Sequence, residues 1–349
     1  MKTYKNLYEK VSSLENLERA FRKARRGKSK KQYVIAFENN LKNELQQLHN
    51  ELTSFTYQPQ QLKRFIVRDP KTRTIHASNF RDRVVYHALV NILEPIFEQS
   101  FIYDSYASRK GKGTHNALLR FDIFKRKVSR NGKLLHEHFD NNHIIGYAFK
   151  ADIKKYFDTV DHEILMNIIG KKIQDKNVFW LIKRILNNFD TNIKGKGMPL
   201  GNLTSQFFAN VYLTQLDYFV KYKLQVKYYI RYVDDFIILD VNKSKLVEYQ
   251  ERIRDHLAAL KLELHPDKSK IIPLRNGVSF VGYRIFYHYK ILRKSNRKSF
   301  EKAFEKKLSF YQKEMQSKQE CIKFLEGWFG YAQWANTYNY RKRIMARME

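Results

Sequence analysis

Residues 228–240 read YYIRYVDDFIILD, a run of aromatic and β-branched residues interrupted by two adjacent carboxylates, Asp234 and Asp235. Flanks of this composition form buried strands, and the acidic break between them reads as a hairpin. Two like charges in an apolar setting are costly unless something positive neutralises them. A second acidic strand end points to what that is. In YAFKADIKKYFDTVDH, residues 147–162, an apolar strand delivers Asp152. If the two strands are neighbours in one sheet, Asp152, Asp234 and Asp235 meet. Three carboxylates with no Cys or His beside them favour Mg²⁺ over zinc. Two Mg²⁺ ions about 3.5–4 Å apart are suited to in-line phosphoryl transfer, one activating the attacking hydroxyl and the other steadying the leaving group. The VDD triplet alone reads equally well as an ordinary turn, so the surrounding chain has to decide.

The 349 residues are 43% hydrophobic and 15% aromatic, enough for two or three lobes with real cores and unlike a disordered tail. Lys and Arg number 66 against 35 acids, a net charge of +31 spread along the whole chain. A polyanion is the natural partner, nucleic acid ahead of acidic lipid. The single cysteine, Cys321, excludes an internal disulfide and a Cys-rich zinc site, in keeping with a reducing cytosol. The opening residues lack a signal-peptide core, and no stretch reaches the ~20 apolar residues of a membrane span.

Helical spacing predicts helices over 14–21 and 34–52, with Leu41, Leu45, Leu48 and Leu52 as a stripe and the basic linker ARRGKSKKQ between them. Residues 62–80 read as two short strands turned at Asp69-Pro70-Lys71. A helix carrying Val85, Leu89, Ile92 and Ile96 follows. Next comes SYASRKGKGTHNAL, where Arg109, Lys110, Lys112 and two glycines precede a helix with Ala117, Phe121, Phe124 and Val128. Glycine there lets backbone approach a ligand closely, and the lysines supply charge for phosphate. Residues 130–145 read as a polar loop whose His136 and His138 have no third ligand at metal-binding spacing. Helices are expected over about 161–189, 204–223 and 243–261. A hairpin is expected at Asn276-Gly277, and helix over the last 60 residues, with Phe300, Phe304, Leu308 and Tyr311 as its stripe.

The order of strand-borne Asp152, then Phe157, then Tyr232-Val233-Asp234-Asp235, then Phe280-Val281-Gly282-Tyr283 resembles the palm of reverse transcriptases. The resemblance covers about residues 62–349 and implies an α+β right-hand polymerase: fingers, an antiparallel palm sheet backed by helices, and a helical thumb. It implies an N-terminal helical extension at 1–60, fingers at 61–145, palm at 146–287 with interleaved fingers helices at 161–195, and thumb at 288–349. By the same resemblance Asp152 and Asp234 bind both Mg²⁺ ions with the Ile153 carbonyl, while Asp235 assists. Phe157 is the steric gate against a ribose 2′-hydroxyl, and Arg73 clamps the incoming dNTP triphosphate with its forked donors. Lys268, or Lys270, protonates departing pyrophosphate. Arg109, Lys110 and Lys112 track template backbone. Phe280, Gly282 and Tyr283 form the primer grip, and the segment with Trp328, Phe329, Tyr331 and Trp334 resembles the thumb, which holds the duplex by its shape.

GMPLGNLTSQ, residues 197–206, departs from most reverse transcriptases, which carry Gln-Gly and later Ser-Pro where this chain has Leu200-Gly201 and Ser205-Gln206. In that it resembles the enzymes of diversity-generating retroelements. These copy a template-repeat RNA with errors at adenines, through an RNA/cDNA duplex, and work with a small basic accessory variability protein, expected to be oligomeric. A cytoplasmic, bacterial, archaeal or phage-encoded enzyme is implied. Two rivals stand beside this reading: a retron or group II intron-like enzyme of ordinary fidelity, and a catalytically idle RNA-binding scaffold. The scaffold has no need of costly buried carboxylates. Residues 1–60 are compatible with holding RNA, docking the accessory protein or bracing the fingers.

Overall fold

The computed structural model describes residues 2–68, 72–135, 143–189, 191 and 193–348. It begins with four helices, α1 (Tyr8–Ser12), α2 (Leu14–Arg25), α3 (Gln32–Asn39) and α4 (Leu41–Thr53). Ser13 caps α2 by accepting from the Asn16 N–H. Leu45, Leu48 and Leu52 of the expected stripe are buried, with Leu41 packed at the edge. Asp175 accepts from the N–H groups of Leu7 and Tyr8 at 2.7 and 2.9 Å, and Asn16 donates to the Ala88 carbonyl at 3.0 Å. These sixty residues thus share the main core and brace the helices behind them.

The hairpin β1 (Lys63–Val67) and β2 (Arg73–Ala77) follows, with Val67 opposite Arg73. The expected turn at Asp69-Pro70-Lys71 lies outside the described residues, as do His136 and His138. Next come α5 (Phe80–Glu98), α6 (Thr114–Val128), β3 (Tyr147–Asp152), α7 (Tyr156–Thr159), α8 (His162–Gly170), α9 (Lys176–Asn187) and α10 (Leu203–Tyr218). One π-helical turn at 219–223 leads to β4 (Tyr229–Tyr232), β5 (Asp235–Asp240), α11 (Lys243–Ala259) and β6 (Lys270–Pro273).

The central sheet has the order β4-β5-β3-β6, antiparallel throughout. Both faces are covered, which is why its strands read as continuous apolar runs. Ala148, Ile230, Ile237 and Leu239 cluster with Ala117, Leu118 and Phe121 of α6, whereas Phe149, Ala151, Phe236 and Ile238 join the core containing α8, α10 and α11. The strand ends bearing the carboxylates emerge from this two-sided packing.

The expected hairpin at Asn276-Gly277 is not formed. β6 is captured by β3, with Lys270 opposite Lys150 and Ile272 opposite Ala148. Leu274–Asn276 then make a 3-10 turn, and Gly277 at φ +71° redirects the chain. The hairpin is β7 (Val278–Phe280) with β8 (Tyr283–Ile285), turned at Val281-Gly282 and extended by β9 (Lys290–Leu292). Because β9 occupies 290–292, the C-terminal helices start at Lys294: α12 (Lys294–Gln312), α13 (Lys318–Ala332) and α14 (Tyr338–Met345). Phe300, Phe304 and Leu308 form their core with Cys321, Leu325 and Ile344, and Tyr311 packs against it. Trp328 stacks on Phe300 at 3.6 Å. No described helix is long and apolar enough to cross a membrane.

Candidate active site

Strand pairing brings the acids together. Asp152 at the end of β3 lies directly opposite Asp235 at the start of β5, and β4 sets Tyr232 opposite the same Asp235. Only Val233 and Asp234 remain to turn the chain. Val233 takes φ +57°, a left-handed conformation strained for a β-branched side chain. The Ile153 N–H donates to the Asp234 carbonyl at 3.2 Å, stitching the end of β3 to the turn.

The protein supplies part of the neutralising charge itself. Lys150, two residues before Asp152 and therefore on the same face of β3, places Nζ 2.7 and 2.8 Å from the two carboxylate oxygens of Asp235. Lys268 Nζ lies 2.8 Å from Asp152 Oδ1. Lys270, by contrast, is a β6 residue opposite Lys150 and forms no ion pair with these acids among the described residues. Asp234 has no ion pair among the described residues. Burial, reinforced by Asp152, pushes its carboxyl up to about 6, and burial also raises Asp235 against the pull of Lys150. Among the described residues no three ligating side chains already converge as a metal cluster.

This has a measurable consequence. Asp234 binds its proton more tightly folded (about 6) than at the ordinary 3.8, so without metal, stability falls as pH rises from about 4 to 6. A difference near two pKa units corresponds to about 3 kcal/mol. A divalent cation favours the ionised form. Mg²⁺ should therefore raise the thermal unfolding midpoint clearly at pH 7 and much less at pH 5, measured by scanning fluorimetry. An equal Mg²⁺ effect at both values would refute the assignment of the cation to Asp234.

A connected wall runs from Phe157 to the β1–β2 hairpin. The carbonyl of half-buried Phe157 accepts from the Met198 N–H at 2.7 Å, and the Leu200 carbonyl accepts from the His76 N–H at 3.2 Å. Gly201 sits at φ +106°, and a Cβ there would come 2.8 Å from Ile75. Arg73 opens β2 with its side chain exposed.

Two groups of expected nucleic-acid contacts are placed differently. Arg109 is spent inside the fold: Nε and Nη2 engage Glu98, and Nη1 donates to the carbonyls of Ile102 and Ser105 at 2.7 and 2.8 Å. It shapes the loop with most of its donors turned inward, while Lys110 is exposed. Lys112 lies 3.4 Å over the Tyr103 ring and donates to the Tyr103 carbonyl. Phe280 and Tyr283 are buried, and the Tyr283 hydroxyl donates to the Tyr331 carbonyl at 2.8 Å. The Tyr331 hydroxyl in turn donates to the Gly282 carbonyl at 2.9 Å. With both side chains packed inward, the half-buried Val281 and Gly282 form the tip of the hairpin. Trp328 and Trp334 are likewise packing residues, Trp334 stacking on His115 at 4.3 Å. Beside the tip, a cavity of about 660 Å³ is lined by Arg284, Arg293, Lys294, Arg297 and Arg343, and the Arg293 N–H donates to the Gly282 carbonyl.

Sequence reasoning missed Lys150 and the fully buried pair of Arg231 with Asp217, 2.6 Å apart. A charged residue inside an apolar strand has to have a partner, and that was the available signal.

Residues 67–285 match the family model described as Reverse transcriptase (RNA-dependent DNA polymerase). This chain belongs to the reverse transcriptase family. The matched domain is an RNA-directed DNA polymerase, and the central antiparallel sheet with its helices is consistent with the right-hand fold expected of one. Among curated relatives, this reverse transcriptase is 28% identical to Protein YkfC of Escherichia coli K12 over 283 residues, covering 69% of the chain and 71% of YkfC. It is 29% identical to the group II intron-encoded protein LtrA of Lactococcus lactis subsp. cremoris over 191 residues, 52% of the chain and 28% of LtrA. Telomerase from Candida albicans, solved with a fragment of telomeric RNA, shares the fold at TM-score 0.50 and 12% identity, over 68% of the chain and 46% of that protein. The chain thus spans under a third of LtrA and under half of the telomerase chain.

Proposed function

We propose that this reverse transcriptase copies a template-repeat RNA into cDNA by two-Mg²⁺ phosphoryl transfer on Asp152 and Asp234, with errors directed to template adenines. The observation that carries the chemistry is Asp234: a half-buried carboxylate at the tip of a strained turn, beside Asp152, with no ion pair among the described residues. The donor set is oxygen-only, which fits Mg²⁺. Asp152 and Asp234 would hold the ions with the Ile153 carbonyl, and Asp235, already neutralised by Lys150, assists by supporting their charge. Bound there, the ions would activate the primer 3′-hydroxyl and steady the departing pyrophosphate. Lys268, 2.8 Å from Asp152, is placed to give that pyrophosphate a proton. Phe157 closes the sugar side, and Arg73 meets the triphosphate from β2. Fingers at 61–145, palm at 146–287 with 161–195 interleaved, and thumb at 288–349 follow from this assignment. Lys110, the Gly282 tip and the basic cavity beside it supply charge and backbone for template and primer. The net charge of +31 makes RNA affinity strongly salt-dependent.

The mutagenic class rests on Leu200. An aliphatic side chain stands where an amide would contact the nascent base pair, and one missing hydrogen bond changes discrimination by about 1–3 kcal/mol, roughly 5- to 150-fold. Leu200→Gln should therefore lower misincorporation opposite template adenine within that range while synthesis continues. The check is the error spectrum of sequenced cDNA, and an unchanged spectrum would remove Leu200 from the explanation. A small basic accessory protein belongs to this reading. The intron-like alternative of ordinary fidelity draws support from the similarity to YkfC and LtrA. Errors tallied by template base separate the two: concentration opposite adenine supports the mutagenic class, and a low, even spectrum supports the other.

A further inference from the structure

The turn bearing Asp234 is held by a side chain that takes no part in the chemistry. Arg231 is completely buried, as is Asp217, and the pair is joined twice, Nε to Oδ1 at 2.7 Å and Nη2 to Oδ2 at 2.6 Å. The third nitrogen, Nη1, donates to Asn210 Oδ1 at 3.1 Å and to the Val233 carbonyl at 3.2 Å. Tyr229 completes the cage by donating to Asp217 Oδ1 at 2.8 Å. A buried ion pair of this kind adds little stability over an apolar pair of similar volume, so its contribution is sought in geometry. The geometry is specific: the one carbonyl it grips belongs to the residue at φ +57°, immediately before Asp234. Left alone, a valine would leave that conformation, and the carboxylate following it would move.

The backbone of the same residue holds a second segment. The Arg231 N–H donates to the Asp104 carbonyl, and its own carbonyl accepts from the Tyr106 N–H, both at 2.9 Å, while Asn210 Nδ2 donates to the Ala107 carbonyl at 2.9 Å. The loop leading to Lys110 is thereby laid along the outer edge of β4, and both it and the turn are referenced to one residue, the loop through its backbone and the turn through its guanidinium.

We propose that the Arg231–Asp217–Asn210 network is the device that fixes the left-handed Val233 and so sets the position of the Asp234 carboxylate, making Arg231 a positioning residue. This rests on Asp234 being a ligand for divalent cation. Lysine can keep the charge opposite Asp217, but a single ammonium cannot span Asp217, Asn210 and the Val233 carbonyl together.

The test is a Mn²⁺ titration of the full chain followed by electron paramagnetic resonance, with no turnover involved, and circular dichroism to confirm folding. The variants are Arg231→Lys, which keeps the ion pair, and Arg231→Met with Asp217→Leu, which replaces it by apolar packing. Both should fold and raise the half-saturating Mn²⁺ concentration about tenfold, the lower range for losing a residue that orients a ligand. Folded variants that bind Mn²⁺ within twofold of the parent would overturn the proposal. So would failure of both variants to fold, because Arg231 would then be a stability residue without a selective effect on the turn. Asp234→Ala runs alongside: parental Mn²⁺ binding in that variant would instead overturn the assignment of the metal to Asp234, and the two failures are thus distinguishable.

Discussion

Asp234→Ala should reduce DNA synthesis at least about 10³-fold, because a metal-held carboxylate supplies several kcal/mol of transition-state stabilisation and each 1.36 kcal/mol is tenfold in rate. The same change should leave the metal-free fold intact or make it slightly more stable. Asp234 has no ion pair among the described residues, and its carboxyl is pushed up to about 6 by burial and by Asp152, so its removal relieves a poorly compensated charge. RNA affinity should not change, since it comes from the excess of 66 basic over 35 acidic residues and not from the turn. Primer extension, thermal unfolding and filter binding on one preparation read the three effects separately. Synthesis within tenfold of the parent would remove Asp234 from the chemistry.

Phe157→Ala should admit ribonucleotides, lowering the preference for dNTPs over rNTPs by roughly 5- to 150-fold, the range for one steric contact of 1–3 kcal/mol. The ring is half-buried and packs edge-on against Tyr156 at 5.5 Å, and the Phe157 carbonyl is tied to the Met198 N–H. The backbone bond fixes where the ring starts and the Tyr156 contact packs one side of it, which is what a steric gate against a 2′-hydroxyl would need. Phe157→Tyr keeps the bulk and should keep the discrimination. The ratio of kcat/KM for dNTP and rNTP measures both, and an unchanged ratio in Phe157→Ala would reduce Phe157 to a packing residue.

The central sheet was legible because its strands are apolar runs ending in acids, a pattern with few physical solutions. Asp152 and Asp235 end neighbouring strands opposite each other, and Asp234 sits in the adjoining turn. What the sequence hid were pairings between distant segments. Nothing local says that β6 adds to β3, so Asn276-Gly277 looked like a hairpin when the real turn is Val281-Gly282. Arg109 and Lys112 carry the charge expected of phosphate contacts, yet Glu98, nearby carbonyls and the Tyr103 ring, all from the preceding helix and loop, take up their donors. Lys150 was readable in principle, since i and i+2 share a strand face, but its partner Asp235 lies 85 residues away. Phe280 and Tyr283 lie on the β7–β8 hairpin, where burial turns their side chains toward α6 and Tyr331.

RNA-templated DNA synthesis on Asp152 and Asp234 can be read in a single assay. The most direct measurement is extension of a DNA primer on a defined RNA template with four dNTPs, comparing the parent with and without Mg²⁺ and with Asp152→Asn. The parent should yield cDNA with Mg²⁺, and none should form without Mg²⁺ or from Asp152→Asn. Parental yields from Asp152→Asn, or synthesis that proceeds with all divalent metal chelated, would contradict this expectation.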